Sequence, residues 1–214
     1  MAIKTTTSIT EGRIGNVVFY QWNGKQCARI VPQRYNNPNT PAQQLQRAKM
    51  RKAQQWAQPL KDVLRLGFVE GSNGTYYTRA ISSAMLHAMV SDGDDPHIDP
   101  TLALVAQGTL SPMLDGHIDP PVTHHPSPIT IEWVPNEKSI RAHVDDRLVW
   151  VLYDEDKRNV ITNAKRSPKP KRNSGTCLID LSNAKAGTYH LYAFFVNAKG
   201  TQASDSVYLG EVTI

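Results

Sequence analysis

The chain has 214 residues and a formal net charge of +5, with 40% hydrophobic and 20% charged residues. This is the composition of a folded protein of one large or two small domains, and no stretch approaches the ~20 apolar residues that a membrane span needs. Its two cysteines are too few for a disulfide framework or an all-thiolate zinc site. The first residues lack the apolar core of a signal peptide, so we expect a cytoplasmic protein, or a virion protein released by lysis.

The charge is unevenly distributed along the chain. Residues 1 to 65 carry eleven Lys and Arg against two acids, Glu11 and Asp62, a net charge of +9. The remaining residues carry 13 basic and 17 acidic groups, a net charge of −4. Such asymmetry concerns partners rather than fold. The basic end suits nucleic acid, an acidic protein, or the acidic part of a neighbouring copy.

A β-hairpin is predicted near the N-terminus. Two β-rich runs, GNVVFYQW and KQCARIVP, flank an Asn-Gly pair at residues 23 and 24, which is the strongest short signal for a type I′ turn. Val17 and Phe19 lie on one face of the first strand, and Val18 and Tyr20 lie on the other. Because both faces begin with apolar residues and a two-stranded ribbon is marginal in water, we expect it to be covered on both sides or to join another sheet.

Two helices are predicted after the hairpin. Thr40 is a good N-cap and Pro41 suits the first helical position, so the first helix is predicted from Pro41 to Leu66, with Gly67 as its stop. Pro59 should kink it or split it in two. The apolar periodicity of residues 75 to 90 predicts the second helix.

The first helix carries four basic side chains and no acid in its first half, at Arg47, Lys49, Arg51 and Lys52. At ~100° per residue Arg47 and Arg51 align, and both rows of basic residues flank the side opposite Trp56. An exposed helix face is usually just solvated, but ordinary faces mix the two signs of charge. The glutamine-rich composition around these residues suits a polar protein interface at least as well as a phosphate-binding one.

The middle of the chain contains predicted loops. Residues 91 to 100 read as a loop, residues 101 to 110 as a strand, and residues 111 to 128 as a linker rich in Pro, His and Asp. The tetrapeptide His-Ile-Asp-Pro occurs twice, at 97 to 100 and at 117 to 120.

These His- and Asp-rich loops, Asp92 to Asp99 and Asp115 to His125, contain oxygen and imidazole groups that divalent metals accept as ligands. The carboxylate spacing, however, lacks the Gly and the terminal Glu of a calcium-binding loop. Asp before Pro is common turn chemistry. We therefore predict two polar turns and no metal site.

Beyond the linker, seven short predicted strands with turns between them predict an immunoglobulin-like or fibronectin-like sandwich over residues 129 to 214, able to stand alone. The predicted strands are ITIEWV, SIRAHV, RLVWVLYD, NVITNA, GTCLIDLS, GTYHLYAFFVNA and ASDSVYLGEVTI. The predicted core includes Trp133, Val149, Val151, Leu178, Tyr189, Leu191, Ala193 and Val207. The basic loop KRSPKPKR, residues 165 to 172, should be solvated.

The resulting fold class is α+β. A hairpin-helix module, a β-hairpin with two helices, is predicted over residues 1 to 110. The linker covers 111 to 128, and the all-β immunoglobulin/fibronectin-like sandwich covers 129 to 214.

Several of these segments resemble a family widespread in Bacteroidota and known only as a domain of unknown function. The similarity lies in Gly12 to Val17, the turn from Trp22 to Lys25, the segment from Asn37 to Gln43, and Gln46-Arg47. The resemblance implies no known activity. The pattern Asn-Pro-x-Thr-Pro-Ala-Gln-x-x-x-Arg is also similar to small prophage-encoded proteins, which implies a virion or assembly role.

Sequence motifs of catalysis do not occur in the chain. It contains no Gly-x-Ser-x-Gly, no phosphate-cradling glycine loop and no His-Glu-x-x-His motif. We therefore predict that it is not an enzyme and uses no cofactor.

The predicted function is that of a non-enzymatic structural or assembly protein that contacts other copies of itself or another assembly component, such as a phage virion or prophage-encoded part. One alternative is nucleic-acid binding through the basic N-terminal region, and another, by fold analogy alone, is a surface or carbohydrate-binding module. Trp22 and Trp56 are predicted to be structural. The predicted partner-binding residues are Phe19, Tyr20, Arg29, Arg34, Arg47, Arg51 and Lys52.

Overall fold

Two compact units, Met1–Thr40 and Pro41–Ile214, are defined by the contacts within the chain. The structure, a computed structural model, describes residues 11–31, 38–71, 74–93, 95–119, 128–136 and 138–214. The described residues form three α-helices and four antiparallel sheets, a mixed fold in which β structure predominates. None of the helices in these ranges is both long and apolar enough to cross a membrane.

The first unit contains a three-stranded antiparallel sheet with the order β1-β2-β3. Its strands are β1 (Gly12–Ile14), β2 (Val17–Trp22) and β3 (Lys25–Ile30). Asn23 and Gly24 connect β2 to β3 with φ angles of 49° and 74°, the positive values that a type I′ turn requires. The predicted hairpin is therefore present, and β1 adds a third strand that was not predicted.

The second unit begins with three helices, α1 (Pro41–Ala57), α2 (Lys61–Gly67) and α3 (Tyr76–Ser83). The helix predicted over 41 to 66 thus begins at Pro41 and is split near Pro59, as expected for a residue without a backbone N–H. A π-helical segment, Ala84–Ala88, directly continues α3.

A small hairpin follows the π-helical segment, where the sequence predicted the end of a helix and a loop. Its strands are β4 (Met89–Asp92) and β5 (Asp95–Ile98), and Gly93 between them has a φ of 64° that glycine adopts without strain. The strand predicted over 101 to 110 is wrong, because that segment consists of turns and irregular structure. The Asp99 side chain begins the turns by accepting hydrogen bonds from the backbone N–H and the hydroxyl of Thr101.

The remaining strands form two antiparallel sheets. They are β6 (Leu114–Asp119), β7 (Ile129–Val134), β8 (Arg147–Asp154), β9 (Asn159–Thr162), β10 (Thr176–Ile179), β11 (Thr188–Val196) and β12 (Val207–Thr213). The first sheet has the order β10-β7-β6, and the second has the order β12-β11-β8-β9.

Two predictions about this region are wrong. Residues 139 to 144, predicted as the strand SIRAHV, form turns. The seventh strand is instead β6, which lies inside the predicted linker and pairs Ile118 with Ile131 of β7. This pairing satisfies the backbone hydrogen bonds at the edge of β7 and places Ile118 against the core between the sheets. The Pro- and Asp-rich composition of the segment does not indicate this strand.

The two sheets share one apolar core. Its buried members include Ile131, Trp133, Trp150, Leu152, Cys177, Ile179, Tyr189, Leu191, Phe195 and Val212. Leu178 was predicted to belong to the core but is 66% exposed. Because successive side chains on a strand point to opposite faces, its neighbours Cys177 and Ile179 face inward and Leu178 faces out.

A second core lies on the other side of the four-stranded sheet, between this sheet and the helices. The helices contribute residues at helical spacing, namely Ala53, Trp56, Ala57, Leu60, Val63 and Leu64. The sheet contributes Val149, Val151, Tyr153, Tyr192, Phe194 and Val196. This core joins helices from the predicted 1 to 110 module to strands from the predicted 129 to 214 domain.

Arg172 is a buried exception in the basic loop that was predicted to be solvated. Its side chain is fully buried, and its Nε donates to Oδ2 of Asp146 at 3.1 Å. Nη1 donates to the Asn136 side chain at 2.6 Å, and Nη2 donates to the Ser111 carbonyl at 2.8 Å. The guanidinium carbon lies 4.0 Å from the centre of the Phe195 ring. A buried charge requires this degree of pairing, and these partners come from distant parts of the chain.

Candidate partner-binding surfaces

The N-terminal ribbon, Gly12 to Ile30, has one apolar face. Residues paired across its strands share a face, so Ile14, Val17 and Ile30 form one row, and Phe19 lies beside Ala28. We call these five residues the apolar face. Ile14 is 45% exposed and Ile30 is 75% exposed, and none of residues 11 to 31 is buried.

The opposite face of the ribbon mixes aromatic and basic side chains. Arg13, Val18 and Arg29 form a row across the three strands, and Tyr20 pairs with Cys27 and Trp22 with Lys25 at the hairpin end. We call these seven residues the cationic-aromatic face. Trp22 was predicted to be a packing anchor, but it is 65% exposed. It lies next to the turn, where its cross-strand neighbour is Lys25.

The predicted partner-binding residues of the first unit are thus divided between two faces. Phe19 lies on the apolar face, whereas Tyr20 and Arg29 lie on the cationic-aromatic face, because adjacent residues of a strand alternate. Arg34 lies outside the described residues.

The other three predicted residues lie on α1, in the second unit. Arg47 and Arg51 are exposed, one helical turn apart. Lys52 is half-buried, and its Nζ lies 3.5 Å from Oδ1 of Asp95 on β5. Lys52 therefore forms an ion pair with Asp95, and Arg47 and Arg51 lie on the exposed side of α1.

Helices α1 and α3 enclose an apolar groove that the sequence did not predict. We call it the α1–α3 groove. Its volume is about 410 Å³, and it is lined by Met50, Thr78, Ile81, Ser82, Met85 and Leu86. Tyr77 fixes the two helices to each other, since its hydroxyl donates to the Gln54 carbonyl at 3.3 Å.

Leu86 is the most exposed apolar residue lining the groove, at 77%, while Met50 is 40% exposed. Leu86 lies in the π-helical segment, where Ala84 and Ala88 are buried. A π-helical turn contains an extra residue, and such turns frequently occur at functional sites. The sequence contained one signal that Leu86 is exposed, because Leu86 lies off the apolar stripe of the predicted second helix.

A cleft of about 620 Å³ adjoins the groove and shares Ser82 and Leu86 with it. Arg79 and Ser83 line the cleft, and among the described residues neither Nε of Arg79 nor the hydroxyl of Ser83 has a hydrogen-bond partner. Arg79 is anchored through another nitrogen, which donates to the carbonyl of Phe68. Both of these atoms are buried rather than exposed to the cleft.

Glu70 lines the same cleft, but its carboxylate is fully engaged. It accepts hydrogen bonds from the backbone and hydroxyl of Thr109 and from the backbone N–H of Ala203. Burial raises the pKa of Glu70, but these hydrogen bonds, together with the charge of Arg141, lower it by more, so its pKa is below the ordinary value. Glu70 thus ties together two distant segments.

The first His-Ile-Asp-Pro motif behaves as a turn. The Asp99 carboxylate accepts hydrogen bonds from the Thr101 hydroxyl at 2.7 Å and the Thr101 backbone N–H at 2.8 Å. These bonds lower the pKa of Asp99. His97 precedes it on β5.

The second His-Ile-Asp-Pro motif lies on β6, in a different sheet, where Nε2 of His117 is 3.7 Å from Glu132. Within the described ranges no group of three His, Cys, Asp or Glu residues is placed to hold a metal ion. His124 and His125 lie outside those ranges, so the prediction that these loops bind no metal stays a prediction.

The fold and these surfaces define a protein of two units, an antiparallel ribbon and a larger body in which helices pack on a β-sheet. The chain belongs to a family of unknown function (DUF6266), whose model matches residues 9–210. No curated protein and no solved structure matched the chain. The expectation of an uncharacterised family is confirmed, while a Bacteroidota origin and a similarity to prophage proteins stay predictions.

Proposed function

We propose that the protein is a non-enzymatic assembly protein whose N-terminal ribbon binds a second copy of the chain through its apolar face. The observation that carries this proposal is that five apolar side chains lie together across three strands while none of residues 11 to 31 is buried. Burial of apolar area contributes roughly 25 cal/mol per Å². Contact between two such faces supplies the burial that the ribbon lacks.

A second copy suits this face because all five side chains are uncharged and a two-fold axis brings a surface against itself. Three strands ~4.8 Å apart with six residues at ~3.4 Å each give a footprint of about 300 Å². A standard interface buries about 800 Å² per partner. Ribbon pairing alone is therefore weak and depends on concentration.

This weakness favours an assembly of many copies. Linked copies raise the effective concentration of each contact, and the outer edges of β1 and β3 offer backbone groups for strand addition. A virion or prophage-encoded assembly provides such a setting, and we propose it as the finer form of this function.

We also propose that the seven strands from Leu114 to Thr213 form a fibronectin-like sandwich. In support, the first, second and fifth strands make one sheet, and the third, fourth, sixth and seventh make the other. The hydroxyl of Tyr189, near the start of the sixth strand, donates to the Lys185 carbonyl at 2.9 Å, which resembles the tyrosine corner of immunoglobulin-like domains. Such a body is a rigid support for a binding ribbon.

Nucleic-acid binding is the second candidate function, and the cationic-aromatic face favours it. Exposed aromatic rings stack on bases while neighbouring basic side chains contact phosphates. Trp22 beside Lys25, and Tyr20 near Arg29, have the required composition. The surface or carbohydrate-binding module stays a prediction from fold analogy.

One experiment separates the two candidates. Phe19→Ser changes the apolar face, the double variant Arg13→Glu/Arg29→Glu changes the other face, and Leu178→Ser is a matched control at an exposed residue of β10. We expect light scattering after size exclusion to show concentration-dependent assembly that only Phe19→Ser reduces strongly.

The opposite result is a protein that stays monomeric at high concentration and binds single-stranded DNA tightly. If that binding fell steeply with salt and was lost in Arg13→Glu/Arg29→Glu, nucleic-acid binding would replace assembly as the function.

A further inference from the structure

We infer that the α1–α3 groove binds an acidic amphipathic helix from a partner protein. The inference rests on the apolar lining of the groove and on the basic charge beside it. It does not depend on the proposed function of the ribbon.

The lining of the groove is of the kind that accepts an apolar helix face. Met50, Ile81, Met85 and Leu86 supply most of its wall. Methionine side chains adapt to different partners because they are unbranched and polarizable, and they are over-represented at such surfaces. A helix docking in a groove inserts anchors at i, i+3, i+4 and i+7, and the exposed Leu86 offers one contact point to them.

The charge beside the groove specifies an acidic partner. Helix α1 contains four basic residues and no acidic one among its 17 residues. Successive residues of a helix are rotated by about 100° around its axis. Viewed along α1, Arg47 therefore lies about 60° and Arg51 about 100° from Met50, both on the side toward solvent. A helix in the groove therefore has these cations along one side, and acidic residues at its rim match them.

The ribbon of a second copy is a less suitable occupant. Its described residues carry three basic side chains, Arg13, Lys25 and Arg29, against Glu11. Like charges would therefore meet at Arg47 and Arg51.

The test uses the full chain and a fluorescein-labelled synthetic peptide of about 18 residues, with Leu at the i, i+3, i+4, i+7 positions and Glu elsewhere. Controls are a peptide of the same composition with its periodicity broken, and a peptide with Lys in place of Glu. Fluorescence anisotropy should show binding of the acidic periodic peptide only, weakened by salt.

Two variants of the protein should each weaken this binding about tenfold or more, Leu86→Ser through the apolar contact and Arg47→Glu/Arg51→Glu through charge. Their matched controls are Leu178→Ser and Arg65→Glu, at an exposed leucine of β10 and an exposed arginine of α2, and these should bind as the wild type does. Because Leu86 is 77% exposed, Leu86→Ser should retain the circular dichroism spectrum and thermal midpoint of the wild type.

Equal binding of the three peptides, or binding unchanged by Leu86→Ser, would overturn the inference. So would a loss of self-assembly in Leu86→Ser without peptide, since the groove would then hold a second copy. Phe19→Ser should leave peptide binding unchanged, so that failure of the ribbon proposal and failure of this one give different results.

Discussion

Replacing Arg172 with Met should destabilise the second unit by about 3–5 kcal/mol, the range for removal of one partner from a buried ion pair. Arg172 and Asp146 have side chains that are 0% and 1% exposed. In the variant, the Asp146 carboxylate would be left buried without its cation. Met fills much of the volume of the Arg side chain, so the loss comes from charge and hydrogen bonds more than from a cavity.

The hydrogen-bond partners of Arg172 explain why the loss should reach this range. The variant removes donors from the carbonyl of Ser111 and from the Asn136 side chain, and buried acceptors without a donor add to the cost. For a protein of 150–250 residues, 1 kcal/mol corresponds to about 2–4 °C in the thermal midpoint. The expected decrease is therefore about 6–20 °C.

Lys171→Met is the matched control, because it removes a neighbouring ion pair that is exposed. Nζ of Lys171 lies 2.7 Å from Oδ1 of Asp145, with side chains 56% and 61% exposed. Such pairs contribute about 0–1 kcal/mol. Urea titrations of both variants, monitored by tryptophan fluorescence, should therefore differ several-fold in the loss of unfolding free energy.

A double variant, Arg172→Met/Asp146→Asn, distinguishes the uncompensated charge from the lost packing. It should recover part of the stability, because it removes the buried charge that Arg172→Met leaves behind. If Arg172→Met cost no more than Lys171→Met, the buried pair would not stabilise this fold and the reasoning would be wrong.

Four further outcomes are expected. Trp56→Ala should cost about 3–5 kcal/mol in a urea titration, since Trp56 is 4% exposed in the helix–sheet core; a loss below 1 kcal/mol would contradict its structural role. Burial raises the pKa of Cys177 to about 11, so at pH 8 a thiol reagent should label the half-buried Cys27 and reach Cys177 only after unfolding. Because the pKa of Glu70 is lower in the folded state, its ionised carboxylate stabilises the fold at pH values above the ordinary carboxyl pKa. This contribution is lost as the pH falls through the folded-state pKa. The thermal midpoint of Glu70→Gln should therefore depend less on pH between about 3 and 6 than that of the wild type. Residues 129 to 214 expressed alone should give a poorly dispersed amide spectrum, contrary to the sequence-based expectation, because the segment lacks β6 and the helices that cover its larger sheet.

Local chemistry allowed several elements to be predicted from sequence. The Asn-Gly turn specified the hairpin, because few residue pairs adopt positive φ at both positions. Pro59 specified the break between the first two helices, and runs rich in β-branched and aromatic residues specified β8 and β11. Each of these signals lies within a few residues of the feature it predicts.

Features that depend on distant contacts were missed. β6 is a strand because β7 offers it an edge, and Arg172 is buried because Asp146, Asn136 and Ser111 converge on it. Neither arrangement can be read from the neighbouring residues, which are rich in proline and charge. In the same way, the α1–α3 groove forms because Met50 of α1 lies near Ile81 and Met85, which are distant in sequence.

The predicted partner-binding residues show why net charge alone could not locate an interface. The excess of +9 in residues 1 to 65 is divided between the ribbon and α1, which belong to different compact units. Part of it is used internally, since Lys52 pairs with Asp95. Of the remainder, Arg13, Lys25 and Arg29 lie on the ribbon, and Arg47 and Arg51 lie on α1. The apolar face of the ribbon carries no charge, whereas the α1–α3 groove has Arg47 and Arg51 beside it, so the two proposed contacts call for partners of different chemistry.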